Sequence, residues 1–284
     1  MDFSKYLIAT DLDGTFFDST SRPAPANLQA LERFRAGGGL FTVASGRVHT
    51  TIRPCMERIE EIVNVPAVVC NGNYLFDFGT STPYFEQHLP QDVARELLAF
   101  AAEEFPDVPL RGCIFEGTYY HHITQMELMY IKACAPETRF VLPPEQWRTG
   151  NWYKLVMHFG KELAPYGRER LKIRFGERLC LTSSSAATIE IQSPGVSKAQ
   201  GLEKLRNFSK QTRGRILIAC GDYENDMEML QAADIAVCPA NASNAVKHIC
   251  DYVLCDHNEG VIADIIARIE RGELTAKKKR GITV

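Results

Sequence analysis

The sequence predicts an α/β protein whose doubly wound, mostly parallel, Rossmann-like core is interrupted by an inserted α+β domain. Three observations carry that prediction. Short apolar runs alternate with amphipathic stretches at both ends of the chain, the pattern of β-α-β units on a parallel sheet. In the middle the alternation stops, and strand-like and helix-like runs follow one another without that rhythm. At 284 residues and 45% hydrophobic content, the chain has the length and the apolar side chains for two cores.

Tyr6 to Thr10 is a short apolar run bounded by a turn signal and reads as a buried strand. After Pro23 and Pro25, Leu28, Leu31 and Phe34 recur at helical spacing until Gly37-Gly38-Gly39 ends the segment. Leu40 to Ala44 predicts a second strand, Arg47 to Ile62 one helix with Ile52, Met56, Ile59 and Ile62 along a side, and Ala67 to Cys70 a third strand. Asn71-Gly72 and the runs Tyr74 to Phe78 and Tyr84 to Glu86 predict a hairpin leaving the sheet. The insertion is placed at 83–185. It holds an amphipathic helix over Gln91 to Glu104, strands at Leu110 to Phe115, Tyr119 to His122, Trp152 to Phe159 and Leu179 to Ser183, and helices at Met126 to Cys134 and Leu163 to Phe175. The core comprises 1–82 and 186–284. Its second part opens with a strand at Thr188 to Gln192. There follow Ser197 as N-cap of the helix carrying Lys198, a strand over Arg215 to Cys220, a helix over Glu224 to Ala232, and an Ile262, Ile265, Ile266 and Ile269 stripe.

A net charge of −3 and a pI near 6.2 give no reason to expect nucleic acid or an anionic membrane as partner. The basic run Lys277-Lys278-Lys279-Arg280 reads as a solvated terminus. Nine scattered cysteines without a C-x-x-C pair read as reduced core residues, with neither a disulfide framework nor a zinc site. The start of the chain leaves no space for a signal peptide and no apolar stretch is long enough to span a bilayer, so a cytoplasmic protein, monomer or homodimer, is expected.

The chemistry concentrates in Asp11-Leu12-Asp13-Gly14-Thr15, just beyond the first strand. In an extended chain Asp11 and Asp13 share a face, and Gly14 lets the backbone turn away. Paired acids beyond a strand's carboxyl end lie where ligands bind in open α/β sheets. A calcium loop is excluded, because its sixth and twelfth positions, counted from Asp11, hold Phe16 and Arg22 instead of Gly and Glu. An ordinary Asp-Gly turn explains the loop equally well when it is taken alone.

Three later segments break that tie. Together with the acidic loop, Val43-Ala44-Ser45-Gly46-Arg47, then Lys198, then Gly221-Asp222-Tyr223-Glu224-Asn225-Asp226 resemble, in order, the four motifs of the haloacid dehalogenase superfamily of phosphatases. The resemblance is to the Cof-like branch, which carries a large cap between the second and third motifs. It implies a Mg²⁺-dependent phosphatase hydrolysing small phosphorylated metabolites through an aspartyl-phosphate, with 83–185 as an α+β cap that sets specificity. Phosphate monoester hydrolysis is among the slowest uncatalysed reactions, with enhancements up to ~10²¹-fold, so a weak carboxylate nucleophile needs positive charge around its substrate.

By the same resemblance Asp11 is the nucleophile, Asp13 the general acid and base, and Lys198 the cation beside the phosphorylated Asp11. Lys198-Ala199 replaces the frequent Lys-Gly, which puts the helix entry in question and not the side chain. Leu12, Ser45, Gly46, Arg47 and Asn225 are implied phosphate contacts. Asp11, the backbone carbonyl of Asp13, and Asp222 are the implied Mg²⁺ ligands, with Asp226 orienting a metal-bound water from behind. Taken singly, Ser45 reads as a helix cap, Lys198 as a surface cation and Gly221-Asp222 as a turn.

The alternatives are a phosphomutase, since phosphomannomutases share the D-x-D-G-T loop, and a non-catalytic binding module, which has no need of an acid pair. A dinucleotide-binding dehydrogenase lacks its G-x-G-x-x-G. Arg111, Tyr119, Tyr120, His121, His122 and Lys154 are the cap candidates for meeting the rest of a substrate.

Overall fold

The computed structural model describes residues 1–125, 128, 129, 131, 139–147 and 150–275. The expected helix at Met126 to Cys134 and the basic run at Lys277 fall largely or wholly outside them. The chain forms two compact units, one of residues 1–45, 58–84 and 197–284, the other of residues 46–57 and 85–196.

The strands, in chain order, are β1 (Tyr6–Thr10), β2 (Leu40–Val43), β3 (Ala67–Val69), β4 (Tyr74–Asp77), β5 (Thr82–Tyr84), β6 (Leu110–Ile114), β7 (Gly117–His121), β8 (Arg139–Val141), β9 (Lys154–His158), β10 (Cys180–Thr182), β11 (Thr188–Gln192), β12 (Ile216–Cys220), β13 (Ile235–Cys238) and β14 (Tyr252–Val253). The first unit is built on a five-stranded sheet in the order β14-β13-β12-β1-β2, all pairs parallel. β1 lies between β12 and β2, and every one of its residues is buried, as its apolar run requires. β3 meets the end of β2 only through the Ala44–Val68 bridge and pairs antiparallel with β4, so the hairpin β4-β5 extends from β3 as a three-stranded sheet. Packed helices include Pro25–Ala36, which has Pro at its first turn and Gly37 at its C-cap, and Val261–Glu270, whose isoleucine stripe is buried.

The second unit holds a six-stranded sheet, β10-β11-β9-β6-β7-β8, antiparallel except for β7-β8. One sheet face joins the helices Gln91–Glu104 and Gly160–Phe175 in a core that includes Leu97, Leu110, Leu155, Leu171 and Ile189. Phe100, Phe105, Phe159 and Phe175 meet there edge to face. A strand contributes alternate residues to the two faces. The other face therefore carries Arg111, Tyr120, Lys154, Glu190 and Gln192.

Two expectations are corrected. The single helix from Arg47 to Ile62 is instead two short helices, His49–Ile52 and Ile59–Ile62. Pro54 removes a backbone donor between them, and Arg58 takes a left-handed φ of 55°. Thr188 to Gln192, expected in the parallel core, is β11 and pairs antiparallel with β9 and β10. The second unit thus reaches past residue 185 to 196, and it also takes in residues 46–57.

Candidate active site

Register assembles the site. β1 and β12 run parallel with Thr10 opposite Cys220, and the Asp11 N–H donates to the Cys220 carbonyl at 2.8 Å. Asp11 and Asp222 therefore leave neighbouring strands at the same sheet edge. From there the Leu12–Phe16 segment makes a wide turn closed by the Phe17 N–H on the Leu12 carbonyl at 2.8 Å. Gly14 holds a φ of 75°, and a Cβ on it would lie 2.7 Å from Asp222 Oδ2, so both conformation and space demand glycine. Thr15 Oγ1 donates to Asp222 Oδ1 at 3.1 Å, and Asn241 Nδ2 donates to the Gly14 carbonyl at 2.7 Å.

Lys198 follows its N-cap Ser197, whose Oγ accepts from the Gln200 N–H at 3.3 Å. Its fully buried ammonium donates to Asp11 Oδ1 and to Asp226 Oδ1, both at 2.6 Å. Asp226 Oδ2 accepts from the N–H groups of Asp222 and Tyr223 at 3.0 and 3.2 Å, which fixes the loop that presents Asp222. Asp226 is thus committed on both oxygens to the chain itself.

Carboxylate oxygens of Asp11, Asp222 and Asp226 lie within 4.8 Å of one another. Burial pushes the Asp11 carboxyl well above the usual range, and the charges of Asp226, Asp222 and Asp13 add to this against the opposing Lys198. Burial and then the Asp226 charge push Asp222 up to about 7. Burial alone would lower Lys198, but Asp11 and then Asp226 outweigh it and hold the ammonium above its ordinary value. One buried cation thus faces three acids, and the excess negative charge suits a further cation. The donors on hand are oxygens, which a hard divalent ion prefers. With Asp226 committed, Asp11 and Asp222 are the side chains that fit as its ligands.

Of the other expected residues, Leu12 is buried and Asp13 exposed in the loop. Ser45 is buried, its N–H donating to the Val68 carbonyl at 2.9 Å. Asn225 Nδ2 donates to Asn71 Oδ1 at 3.4 Å. Gly46 and Arg47 belong to the second unit, where Arg47 Nη1 donates to the Thr51 carbonyl at 3.3 Å and to Cys55 Sγ at 3.1 Å.

Asn71 is the site residue that sequence reasoning missed. It is buried, its N–H donates to the Ser45 carbonyl at 2.9 Å, and it orients Asn225. It stands in three successive left-handed residues, Cys70, Asn71 and Gly72, with φ of 51°, 59° and 91°. Such backbone strain on non-glycine residues gathers at functional sites. The Asn-Gly pair was the available signal, and it read equally well as a hairpin turn.

The sequence matches the haloacid dehalogenase-like hydrolase family over residues 8–266. The chain belongs to that family. It is 26% identical to pyridoxal phosphate phosphatase YbhA of Escherichia coli (strain K12), over 92% of this chain and 97% of the relative. It is also 26% identical to 5-amino-6-(5-phospho-D-ribitylamino)uracil phosphatase YitU of Bacillus subtilis (strain 168), over 93% and 97%. A haloacid dehalogenase-like hydrolase from Bacteroides thetaiotaomicron superposes with a TM-score of 0.77 at 23% identity, covering 93% of this chain and 99% of its own. A subclass IIB sugar phosphatase of the superfamily does so with a TM-score of 0.78 at 20% identity, covering 95% and 100%. The fold is the Rossmann-like core with a cap, and the enzyme class is phosphoric monoester hydrolase. Among the described residues no helix is long and apolar enough to cross a membrane, and the eight cysteines are free thiols.

Proposed function

We propose that this member of the family is a Mg²⁺-dependent phosphatase of small phosphorylated metabolites, with Asp11 as nucleophile. The observation that carries the proposal is the buried Lys198 ammonium, held 2.6 Å from both Asp11 and Asp226 beside a third acid, Asp222. A lysine so placed opposes the effect of burial on the Asp11 carboxyl and aligns one oxygen, leaving the other to attack phosphorus. At ~4 Å and an effective dielectric of ~20, each close contact of its charge with a transferring phosphoryl group contributes about 4 kcal/mol.

The step forms an Asp11 Oδ–P bond and breaks the ester P–O bond, with the Asp13 carboxyl giving its proton to the leaving alkoxide. Asp13, now a carboxylate, takes a proton from water as that water attacks phosphorus, which returns Asp11 free and releases inorganic phosphate. Asp13 is exposed in the loop, where a proton can be exchanged between turnovers. When bound by Asp11, the Asp13 carbonyl and Asp222, Mg²⁺ supplies charge neutralisation for the phosphate dianion. Asp226 positions Lys198 and Asp222, while Ser45, Leu12 and Asn225, the last held by Asn71, offer donors for phosphate oxygens. Gly46 and Arg47 are proposed to join them.

Specificity is assigned to the second unit, because groups that touch only phosphate treat all monoesters alike. Arg111 and Tyr120, cross-strand partners on the polar sheet face, are its strongest candidates. Tyr119 lies in the apolar core against Phe140, Trp147 and Trp152, and Lys154 is committed to Glu190 at 2.6 Å. The names of the relatives suggest pyridoxal phosphate and a phosphoribitylaminouracil as first substrates to try, with flavin mononucleotide and hexose phosphates beside them. Turnover of p-nitrophenyl phosphate with Mg²⁺ and its loss with EDTA is the expected result; equal turnover without a divalent ion would overturn the metal assignment.

A further inference from the structure

We propose that the second unit carries a separate binding site for a small aromatic anion, in a cavity between the helix Gln91–Glu104 and the segment 143–147. The cavity holds about 460 Å³, within the range of small-molecule sites, and none of its lining residues belongs to the unit that carries Asp11. Its walls are largely apolar, with Leu98, Phe105, Leu110, Pro144 and Trp147 among them. The polar lining is small: Arg95, His121 and Glu145. A few polar groups on an apolar wall, open to solvent on the side of Arg95, Ala102 and Glu145, is the composition of a ligand site.

The walls say what shape fits. Trp147 is buried and its indole N–H donates to the Leu142 carbonyl at 2.8 Å, while its ring stacks on Trp152 at 5.5 Å and 29°. The indole is therefore fixed as a flat wall. Ala101 and Ala102, both in the lining, are small residues on the helix that keep the space open. A planar ring system matches that slot.

The polar groups say what charge fits. Arg95 stands on the exposed side of its helix, and among the described residues the ion pairs of this helix use Glu96 and Glu104 and not Arg95. Its guanidinium is available for a carboxylate or sulfonate. Glu145 offers acceptor oxygens and His121 a ring nitrogen to an N–H or O–H on the same molecule. Burial, with the charge of neighbouring His122, favours the neutral form of His121, so Arg95 is the cation that selects an acid.

Of the two tryptophans of the chain, Trp147 lines the cavity and Trp152 stacks behind it, so intrinsic emission reports on the cavity through Trp147. The probe is 8-anilinonaphthalene-1-sulfonate, which carries a planar body, one sulfonate and one N–H. We expect saturable quenching of tryptophan emission at one probe per chain. Arg95→Gln should weaken it about tenfold, the factor for losing one charge-assisted hydrogen bond. Ala102→Phe, at a second lining position, should abolish it by filling the slot. The uncharged N-phenyl-1-naphthylamine should bind more weakly and be indifferent to Arg95→Gln. Absence of saturable quenching in the intact protein, or equal affinity for the sulfonate in wild type and Arg95→Gln, would overturn the proposal. Circular dichroism confirms that each variant is folded.

Discussion

Lys198 is the residue on which the site depends, because it is buried with two carboxylates at 2.6 Å. Removing one partner from a buried ion pair costs about 3–5 kcal/mol, since the remaining charge is left without compensation. Lys198→Met should therefore lower stability by about that amount and stop turnover, and the loss should shrink as pH falls and the acids take up protons. Denaturant unfolding of wild type and variant at two pH values checks it; a loss independent of pH would show that the acids are not uncompensated. Asp222 gives a second prediction. Its pKa rises from 3.8 unfolded to about 7 folded, so the metal-free folded state binds the extra proton and loses relative stability as pH climbs through that window. The melting midpoint without divalent ions should fall over this range, and saturating Mg²⁺ should flatten the curve. A midpoint that rises instead would contradict the assignment. At this scale the sequence was legible where chemistry restricts residue type: Asp11, Lys198, Asp222 and Asp226, from three segments far apart in the chain, lie together, although Asp226 binds Lys198 and the backbone N–H groups of Asp222 and Tyr223. Asn71 was not, because its role arises from a left-handed backbone and a partner 154 positions away in sequence.

At the scale of elements, the turn at Cys70–Gly72 connects β3 to β4 and packs against the start of the helix of Lys198. A Cβ on Gly72 would lie 2.2 Å from the Ser197 carbonyl oxygen, in a residue with φ of 91°. Gly72→Ala should cost about 2 kcal/mol or more and disturb the entry of Lys198, so activity and stability should fall together. An alanine variant as stable as wild type would show that the turn relaxes freely. β11 carries a different lesson. Its Glu190 is buried against Lys154 at 2.6 Å, and Ser184 Oγ donates to its other oxygen at 2.5 Å. Burial pushes this carboxyl up, yet Lys154 and Ser184 outweigh it and hold it at about 2. The pair therefore supports the fold above the ordinary value of 4.5 and is lost only as pH falls towards about 2. Glu190→Gln should cost about 3–5 kcal/mol, whereas the double change Lys154→Met with Glu190→Leu should recover most of it. Equal losses in the single and double variants would refute this. The sequence misplaced β11 because Thr188 to Gln192 suits either sheet, and which sheet it joins is decided by its distant antiparallel partner β9, with Thr188 opposite His158 and Gln192 opposite Lys154.

For the molecule as a whole, core and cap were legible because parallel units and antiparallel mixtures have different rhythms along a chain. Their borders were less so: residues 46–57 read as a core helix but cluster with the cap, since clustering follows contacts that no local pattern reports. If specificity resides in the second unit, a chimera carrying another relative's cap should exchange the preference order among phosphorylated metabolites; retention of the original order would return specificity to the core. The central claim is that Asp11 carries the phosphoryl group. The most direct measurement is mass-spectrometric mapping of the acid-quenched Asp13→Asn variant after mixing with substrate and Mg²⁺. A phosphoryl adduct on Asp11 and none in Asp11→Asn is expected, and an adduct at another residue, or an Asp11→Asn enzyme within about tenfold of wild-type turnover, would contradict the assignment.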